Sequence, residues 1–286
     1  MSYIKKIKKE NNKIILYKCP EPIAELLIPS GETILLAFLD VETTGLNYQV
    51  DEIIELAVKV ISIEKNTGSI INIVNSYESF NESIKPIDEK ITKITGINKK
   101  MVQGKEIDWN NVEEILKSVD VIISHNASFD KPFIDSNLEL SKNKLWACSM
   151  KDIDWMEKGF VSSKQEMLCL WHGFYFDAHR AMNDVDALIH LITHPFYENN
   201  KPIIELYNNS KIVQYNVWVT NFPYNAEKKD KIKSNGYFWN NEKKLWFKRV
   251  PKEELEKEKQ YLIKTIYFDT FDGFIEEIDP KDKYKS

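Results

Sequence analysis

The sequence predicts an α/β fold built on a mixed sheet, and three observations carry that prediction. Residues 34–39 form an unbroken apolar run, as a central strand covered on both faces requires. Two further strand-like runs, 53–63 and 70–77, flank the turn Asn66-Thr67-Gly68 and read as a hairpin, which introduces an antiparallel part. From there to about residue 194, helical patterns alternate with short apolar strands, the signature of layered α/β structure.

The elements follow in order. Residues 1–30 read as an N-terminal extension, punctuated by Pro20, Pro22, Pro29 and Gly31, with room for one short strand at 14–17. Helices are expected at 88–95 and 109–118, the first opening at Asp88 and the second preceded by Asp108, both suited to capping. A buried strand at 119–124, a helix at 128–138, a short strand at 145–148, and helices at 164–171 and 181–194 complete the block. The stretch from Pro195 to Pro202 reads as a boundary, closing a domain over 31–198. An accessory α+β domain is expected over 205–270: a strand at 213–220, a Lys-rich helix at 226–234, a hairpin from 237–240 and 245–250, and a helix started by Pro251. Residues 271–286 are expected to be a tail.

Composition narrows the function classes. With 43% hydrophobic and 29% charged residues the chain can bury a core and does not match a disordered protein. A net charge of −5 argues against coating a duplex by bulk attraction, but suits an enzyme that gathers carboxylates around cations. Cys19, Cys148 and Cys169 are too few and too scattered for a disulfide framework or a zinc site. The basic start (Lys5, Lys6, Lys8, Lys9) is followed by an apolar run too short for a signal peptide or a membrane span. A cytoplasmic protein with no membrane partner is expected.

Three segments carry chemistry. The first is Asp40-Val41-Glu42-Thr43-Thr44-Gly45-Leu46, at the end of the apolar strand. A period of two puts Asp40 and Glu42 on one face, where they repel each other unless a divalent cation lies between them. Asp-x-Glu alone describes any solvated strand end; the whole string after a buried strand says more. The second is His125-Asn126-Ala127-Ser128-Phe129-Asp130, which places Asp130 in the first turn of a helix. The third is His179-Arg180-Ala181-Met182-Asn183-Asp184. A spacing of five does not put His179 and Asp184 on one helix face, so His179 belongs in the loop before the helix. A histidine there suits a general base. Glu55 and Asp186 match no ligand position and are read as structural. Cys148, Ser149 and Met150 are read as core, and His172 as a satisfied surface histidine.

Taken together, Asp40-Val41-Glu42-Thr43-Thr44-Gly45, His125-Asn126-x-x-Phe129-Asp130 and His179-x-Ala181-x-x-Asp184 resemble the motifs of the DEDD superfamily of 3'→5' exonucleases. The likeness is to its histidine-containing branch, which includes the proofreading epsilon subunits of bacterial DNA polymerase III and RNase T. Ile94-Thr95-Gly96-Ile97 resembles a linker motif of that branch, and the likeness spans about 33–194. It implies a ribonuclease H-like fold, a mixed five-stranded sheet with helices on both faces. It further implies two Mg²⁺ or Mn²⁺ ions held by Asp40, Glu42, Asp130 and Asp184, with His179 deprotonating the attacking water. Thr43 and Leu46, with His125 and Asn126, are the candidates for holding the 3'-terminal nucleotide.

The expected activity is release of nucleoside 5'-monophosphates from single-stranded 3' ends, DNA being favoured over RNA. A polymerase or repair protein is a possible partner. The alternatives are an RNA-trimming exoribonuclease and, in another class, a non-catalytic adaptor that binds nucleic acid or a polymerase. Every motif acid is present, which favours the enzyme. In the accessory domain, Lys228, Lys229, Lys231, Lys233, Lys243, Lys244, Lys248 and Arg249 interleave with Tyr237, Phe238, Trp239, Trp246 and Phe247. That texture suits single-stranded nucleic acid. A small unit also needs large aromatics for its core, and exposed lysines are usually solvated, so a docking platform for a partner and a packing buttress for the catalytic domain are the alternatives.

Overall fold

The computed structural model describes residues 9–10, 13–24, 31–198, 201–223 and 225–285. Most of the basic start, Pro29, and Asn199-Asn200 of the expected boundary lie outside them. The chain divides into two compact units, Met1–Ser210 with Tyr284–Ser286, and Lys211–Lys283.

The first unit opens with three two-residue strands, β1 (Lys9–Glu10), β2 (Lys13–Ile14) and β3 (Tyr17–Lys18). Next come β4 (Thr33–Thr43), β5 (Ile53–Glu64) and β6 (Ile70–Phe80), an antiparallel meander. Then α1 (Glu89–Thr95), α2 (Lys99–Val102) and α3 (Trp109–Lys117) lead to β7 (Val121–Ser124), which lies parallel to β4. After α4 (Ala127–Asp135) and α5 (Glu139–Lys142), β8 (Trp146–Cys148) lies parallel to β7. The unit ends with α6 (Gln165–Trp171), β9 (Phe174–Tyr175), α7 (Ala181–Ile192) and α8 (Pro202–Ser210). β3 pairs with β9. The main sheet has the order β6-β5-β4-β7-β8.

Alternation along β4 builds two cores. Ile34, Leu36 and Phe38 face one layer with Leu168 of α6, Val185 and Leu188 of α7, and Leu206 of α8. Ala37, Leu39 and Val41 face the other with Val112 and Leu116 of α3 and Phe133 and Ile134 of α4. The result is a mixed five-stranded sheet with helices on both faces, the ribonuclease H-like arrangement expected above. A smaller cluster forms where Ile97, after the left-handed Gly96, packs with Ile54 and Val102.

The second unit contains β10 (Gln214–Val219), α9 (Ala226–Ser234), β11 (Phe238–Asn240), β12 (Leu245–Pro251), α10 (Leu255–Leu262) and β13 (Gly273–Ile278). Its antiparallel sheet has the order β11-β12-β10-β13. Val217, Val219, Ile232, Tyr237, Trp246, Val250, Leu262 and Ile266 form its core.

Two stretches differ from expectation. Residues 202–210, read as boundary and accessory domain, form α8, because a proline at the first helical position starts a helix as readily as it ends one. Ile203, Leu206 and Tyr207 then share one face and join the core of the first unit, which runs to Ser210. Residues 273–278, read as part of a tail, form β13 on β10. Its Glu276-Glu277 pair hides the strand pattern, and long-range pairing supplies what local pattern lacks. Gly273 is required there, since a Cβ would stand 2.2 Å from the Trp218 carbonyl oxygen.

His172 is satisfied but is not the surface residue expected, because Phe160, Leu168 and Tyr197 enclose its ring. Its ring stacks on Phe160 at 5.0 Å, and its nitrogens bond to the Leu168 carbonyl and the Tyr197 hydroxyl, each at 2.6 Å. Burial holds its pKa down to about 4. The unfolded chain protonates this histidine near 6.5, so the neutral fold loses stability as pH falls from about 6.5 toward 4. Thermal unfolding midpoints should therefore fall between pH 7 and pH 4.5, and fall less in His172→Phe. Equal falls in both proteins would show that the ring titrates as it does in the unfolded chain.

Candidate active site

The site is built at the end of β4. Asp40 and Glu42 continue the parity of Leu36 and Phe38, so both carboxylates leave the sheet on the face that α7 covers. Val41 between them points into the opposite core. The register with β5 shifts between Glu42 and Thr43, and such bulges re-aim side chains where pairing ends. The exit turn needs glycine at 45 for space rather than for a left-handed backbone. A Cβ there would meet the Asp51 carboxyl at 2.4 Å, a group that also accepts the Asn47 amide at 2.9 Å.

Helix α7 brings the third acid. Asp184 lies in its first turn and accepts the backbone amides of Arg180, at 3.1 Å, and of His179. Carboxylate oxygens of Asp40, Glu42 and Asp184 lie within 4.8 Å of one another. Two charged residues on the same face of β5 hold the helix in place. Glu55, opposite Glu42 in the register, accepts from the Arg180 guanidinium at 2.9 Å and from the Ala181 amide at 3.0 Å. Lys59, four residues farther along the strand, donates to Asp186. Glu55 and Asp186 are thus the positioning elements expected of them. What the sequence did not show is that Glu55 and Lys59 both act on α7. Their spacing of four along one strand, which puts them on one face, was the available signal.

Asp130 arrives from the other layer, in the first turn of α4. It is buried and accepts the Val41 amide at 3.3 Å, so it sits under the strand end, outside the close triad. Its charge still reaches the others. Burial is the largest cause raising Asp40 far above the usual carboxylate range, and repulsion from Asp130, Asp184 and Glu42 adds to it. Burial, then Asp184, Glu55 and Asp130, push Glu42 up to about 8, against a lowering by Arg180. Burial raises Asp130 and Asp184 to about 7 each, although backbone amides pull both down. Arg180 is bonded to Glu55 and leaves this charge largely uncompensated. A donor set made only of converging carboxylates fits a hard divalent cation such as Mg²⁺ or Mn²⁺.

The remaining candidates surround this cluster unequally. His179 precedes α7, as its spacing required, and is exposed with a left-handed backbone at φ 63°. Strain of this kind in a non-glycine residue is concentrated at functional positions. Leu46 is 87% exposed just beyond the turn. Asn126 precedes α4, exposed, with no capping bond from its side chain. Thr43 is buried, and its hydroxyl donates to the Gly45 carbonyl at 2.5 Å, which shapes the turn. His125 shares a 2.7 Å hydrogen bond with Ser149 through Nδ1, and its ring also meets the Ser163 backbone. Burial lowers its pKa to about 4, so the ring is neutral at physiological pH.

A central strand delivers two acids, and helices from both layers add one each. The model of the RNase T exonuclease family matches residues 37–192, more than half of the chain, and the protein belongs to that family. Among curated relatives, DNA polymerase III PolC-type of Thermotoga petrophila is 32% identical over 141 residues, 47% of this chain and 9% of that protein. The PolC-type enzyme of Bacillus subtilis is 28% identical over 208 residues, 65% of this chain and 13% of that protein. The chain thus spans roughly a tenth of the length of these relatives. Among solved structures, exonuclease X in complex with 5' overhanging duplex DNA gives a TM-score of 0.41 at 21% identity, covering 59% of this chain and 99% of that one. E. coli exonuclease I with a dA16 oligonucleotide gives 0.47 at 16% identity, covering 66% and 48%.

Two outcomes follow. Asp40→Asn should raise the melting temperature of the metal-free protein at pH 8, because one repelling charge is gone, and should abolish the stabilisation that added Mg²⁺ gives the wild type. A variant no more stable without metal would mean that the acids do not oppose one another. Glu55→Gln should cost about 1.5–3 kcal/mol, the range for hydrogen bonds to charged groups, read by urea unfolding. Unchanged stability would remove Glu55 as the anchor of α7.

Proposed function

We propose that this protein is a 3'→5' exonuclease that releases nucleoside 5'-monophosphates from single-stranded 3' ends, with DNA the favoured substrate. The observation that carries the reading is the convergence of Asp40, Glu42 and Asp184, with oxygens within 4.8 Å and Asp130 beneath them, in a member of an exonuclease family. Preference for DNA is supported by relatives named as DNA polymerases, which also makes a polymerase or repair protein the proposed partner. Two Mg²⁺ or Mn²⁺ ions held by the four carboxylates would supply the charge that activates water and stabilises the leaving oxygen.

The chain's own residues do the rest. His179 is the proposed general base: it is exposed beside Asp184, and its loop position lets the ring reach a water over the acids. Leu46 wedges against the terminal base from its exposed place after the turn. Asn126 offers an exposed amide that makes no capping bond, and His125 a neutral ring. Thr43 contributes through the turn that it closes, since its hydroxyl proton is engaged by Gly45. A cytoplasmic setting suits the three free thiols, and no helix among the described residues is long and apolar enough to cross a membrane.

The test is a gel assay with 5'-labelled single-stranded DNA and RNA of one sequence, in Mg²⁺, Mn²⁺ or EDTA. A metal-dependent ladder shortening from the 3' end, faster on DNA and absent in Asp40→Ala, is the expected result. A faster RNA ladder would move the substrate to RNA, and no ladder on either strand would leave a non-catalytic adaptor. His179→Asn keeps a residue that tolerates the left-handed backbone, so it isolates the chemistry. It should lower turnover by about 10²–10⁴ with Mg²⁺ binding intact. Unchanged turnover would exclude His179 as the base.

A further inference from the structure

The second unit sorts its aromatic and basic residues into two groups. Tyr237 and Trp246 are core, and Phe247 stacks on Trp218 at 4.8 Å. Lys231, Lys243 and Lys248 pair with Glu227, Glu276 and Glu258, and Lys228 donates to the Ile266 carbonyl. Most of the texture noted in the sequence is therefore used in folding.

Trp239, Lys229, Lys233 and Lys244, not used in these contacts, line one cavity of about 560 Å³. Trp239, Trp246 and Phe222 line it, together with Lys229, Lys233 and Lys244, and no carboxylate does. None of these three lysines makes an ion pair among the described residues, in a chain whose net charge is −5. Trp239 is 47% exposed and meets Trp246 at an interplanar angle of 65°, ring centroids 5.5 Å apart, which leaves much of the indole free to stack on a ligand. Lys244 stands at the hairpin turn with φ 53°, where asparagine or glycine would be at ease. The volume lies within the range of small-ligand sites, about 300–1,000 Å³. An exposed indole beside three uncompensated ammonium groups matches a planar base joined to phosphates.

We propose that this cavity binds a nucleotide of single-stranded nucleic acid, with the base on Trp239 and flanking phosphates on Lys229, Lys233 and Lys244. The choice of a strand over another aromatic anion rests on the exonuclease reading above. The site is distinct from the carboxylates, and would hold substrate without taking part in hydrolysis.

The test uses the full chain and two readouts. Fluorescence anisotropy in EDTA measures binding of a labelled oligothymidylate without cleavage, and thymidine monophosphate is titrated separately. Hydrolysis of a dithymidylate in Mg²⁺ reads the carboxylate site. Trp239→Ala should weaken oligomer binding about 5- to 100-fold. Lys244→Asn, which also relieves the left-handed backbone, should lower the slope of log affinity against log salt by about 0.7. Dithymidylate hydrolysis should be unchanged in both. Unaltered oligomer binding in both variants would overturn the site while cleavage stood. Thymidine monophosphate binding as tightly as the oligomer would overturn the strand assignment. Binding lost in the variants, with no hydrolysis even by the wild type, would support the site and remove the exonuclease reading.

Discussion

Three carboxylates cannot be brought within 4.8 Å of one another by their own preference. Like charges repel, and burial adds the loss of hydration to the repulsion. The fold of the first unit overcomes both by committing each acid to an element that has independent reasons to be where it is. β4 is fixed by apolar residues on both faces, so Asp40 and Glu42 must emerge where the strand ends. α7 is fixed by Val185, Leu188 and their neighbours beneath it, and by Glu55 and Lys59 at its flank. The cost of the cluster is local, and two hydrophobic layers offset it. Such a site trades stability for a place where a cation is preferred.

The two layers contribute differently. Asp184 comes from the helix that covers the same sheet face as Asp40 and Glu42, so it completes the close triad. Asp130 comes from the helix on the opposite face and reaches the site only at the strand's end, bonded to the Val41 amide. The fourth acid is accordingly the most buried of the set. The bulge at Glu42 and Thr43 and the close approach of Asp51 to Gly45 end the strand sharply, leaving Leu46 in solvent.

In the second unit the governing constraint is size. A four-stranded sheet with two helices has little interior, and large aromatics fill it efficiently. Trp218 shows how completely the surface is also used. It stacks on Phe247 and Phe274, donates its indole N–H to Glu276 at 2.8 Å and lies under Lys243 at 4.2 Å. Against that background, lysines left unpaired around an exposed tryptophan stand out as an arrangement that folding alone does not require.

The sequence alone determined those features whose cause is local or periodic. The unbroken run at 34–39 marked the central strand, and the hairpin around Gly68 made the sheet mixed. The spacing of two placed Asp40 and Glu42 together, and the spacing of five placed His179 before α7. Motif likeness led to the exonuclease family. Tertiary structure decided whatever depends on a distant partner. Glu55 and Lys59 show no role until α7 packs across β5. Residues 202–210 and 273–278 have weak local patterns, and become α8 and β13 because a core face and an unpaired strand await them. Which basic and aromatic residues of the second unit remain free was likewise unreadable. Each is claimed or left open by neighbours far along the chain, and sequence spacing carries no information about such pairings.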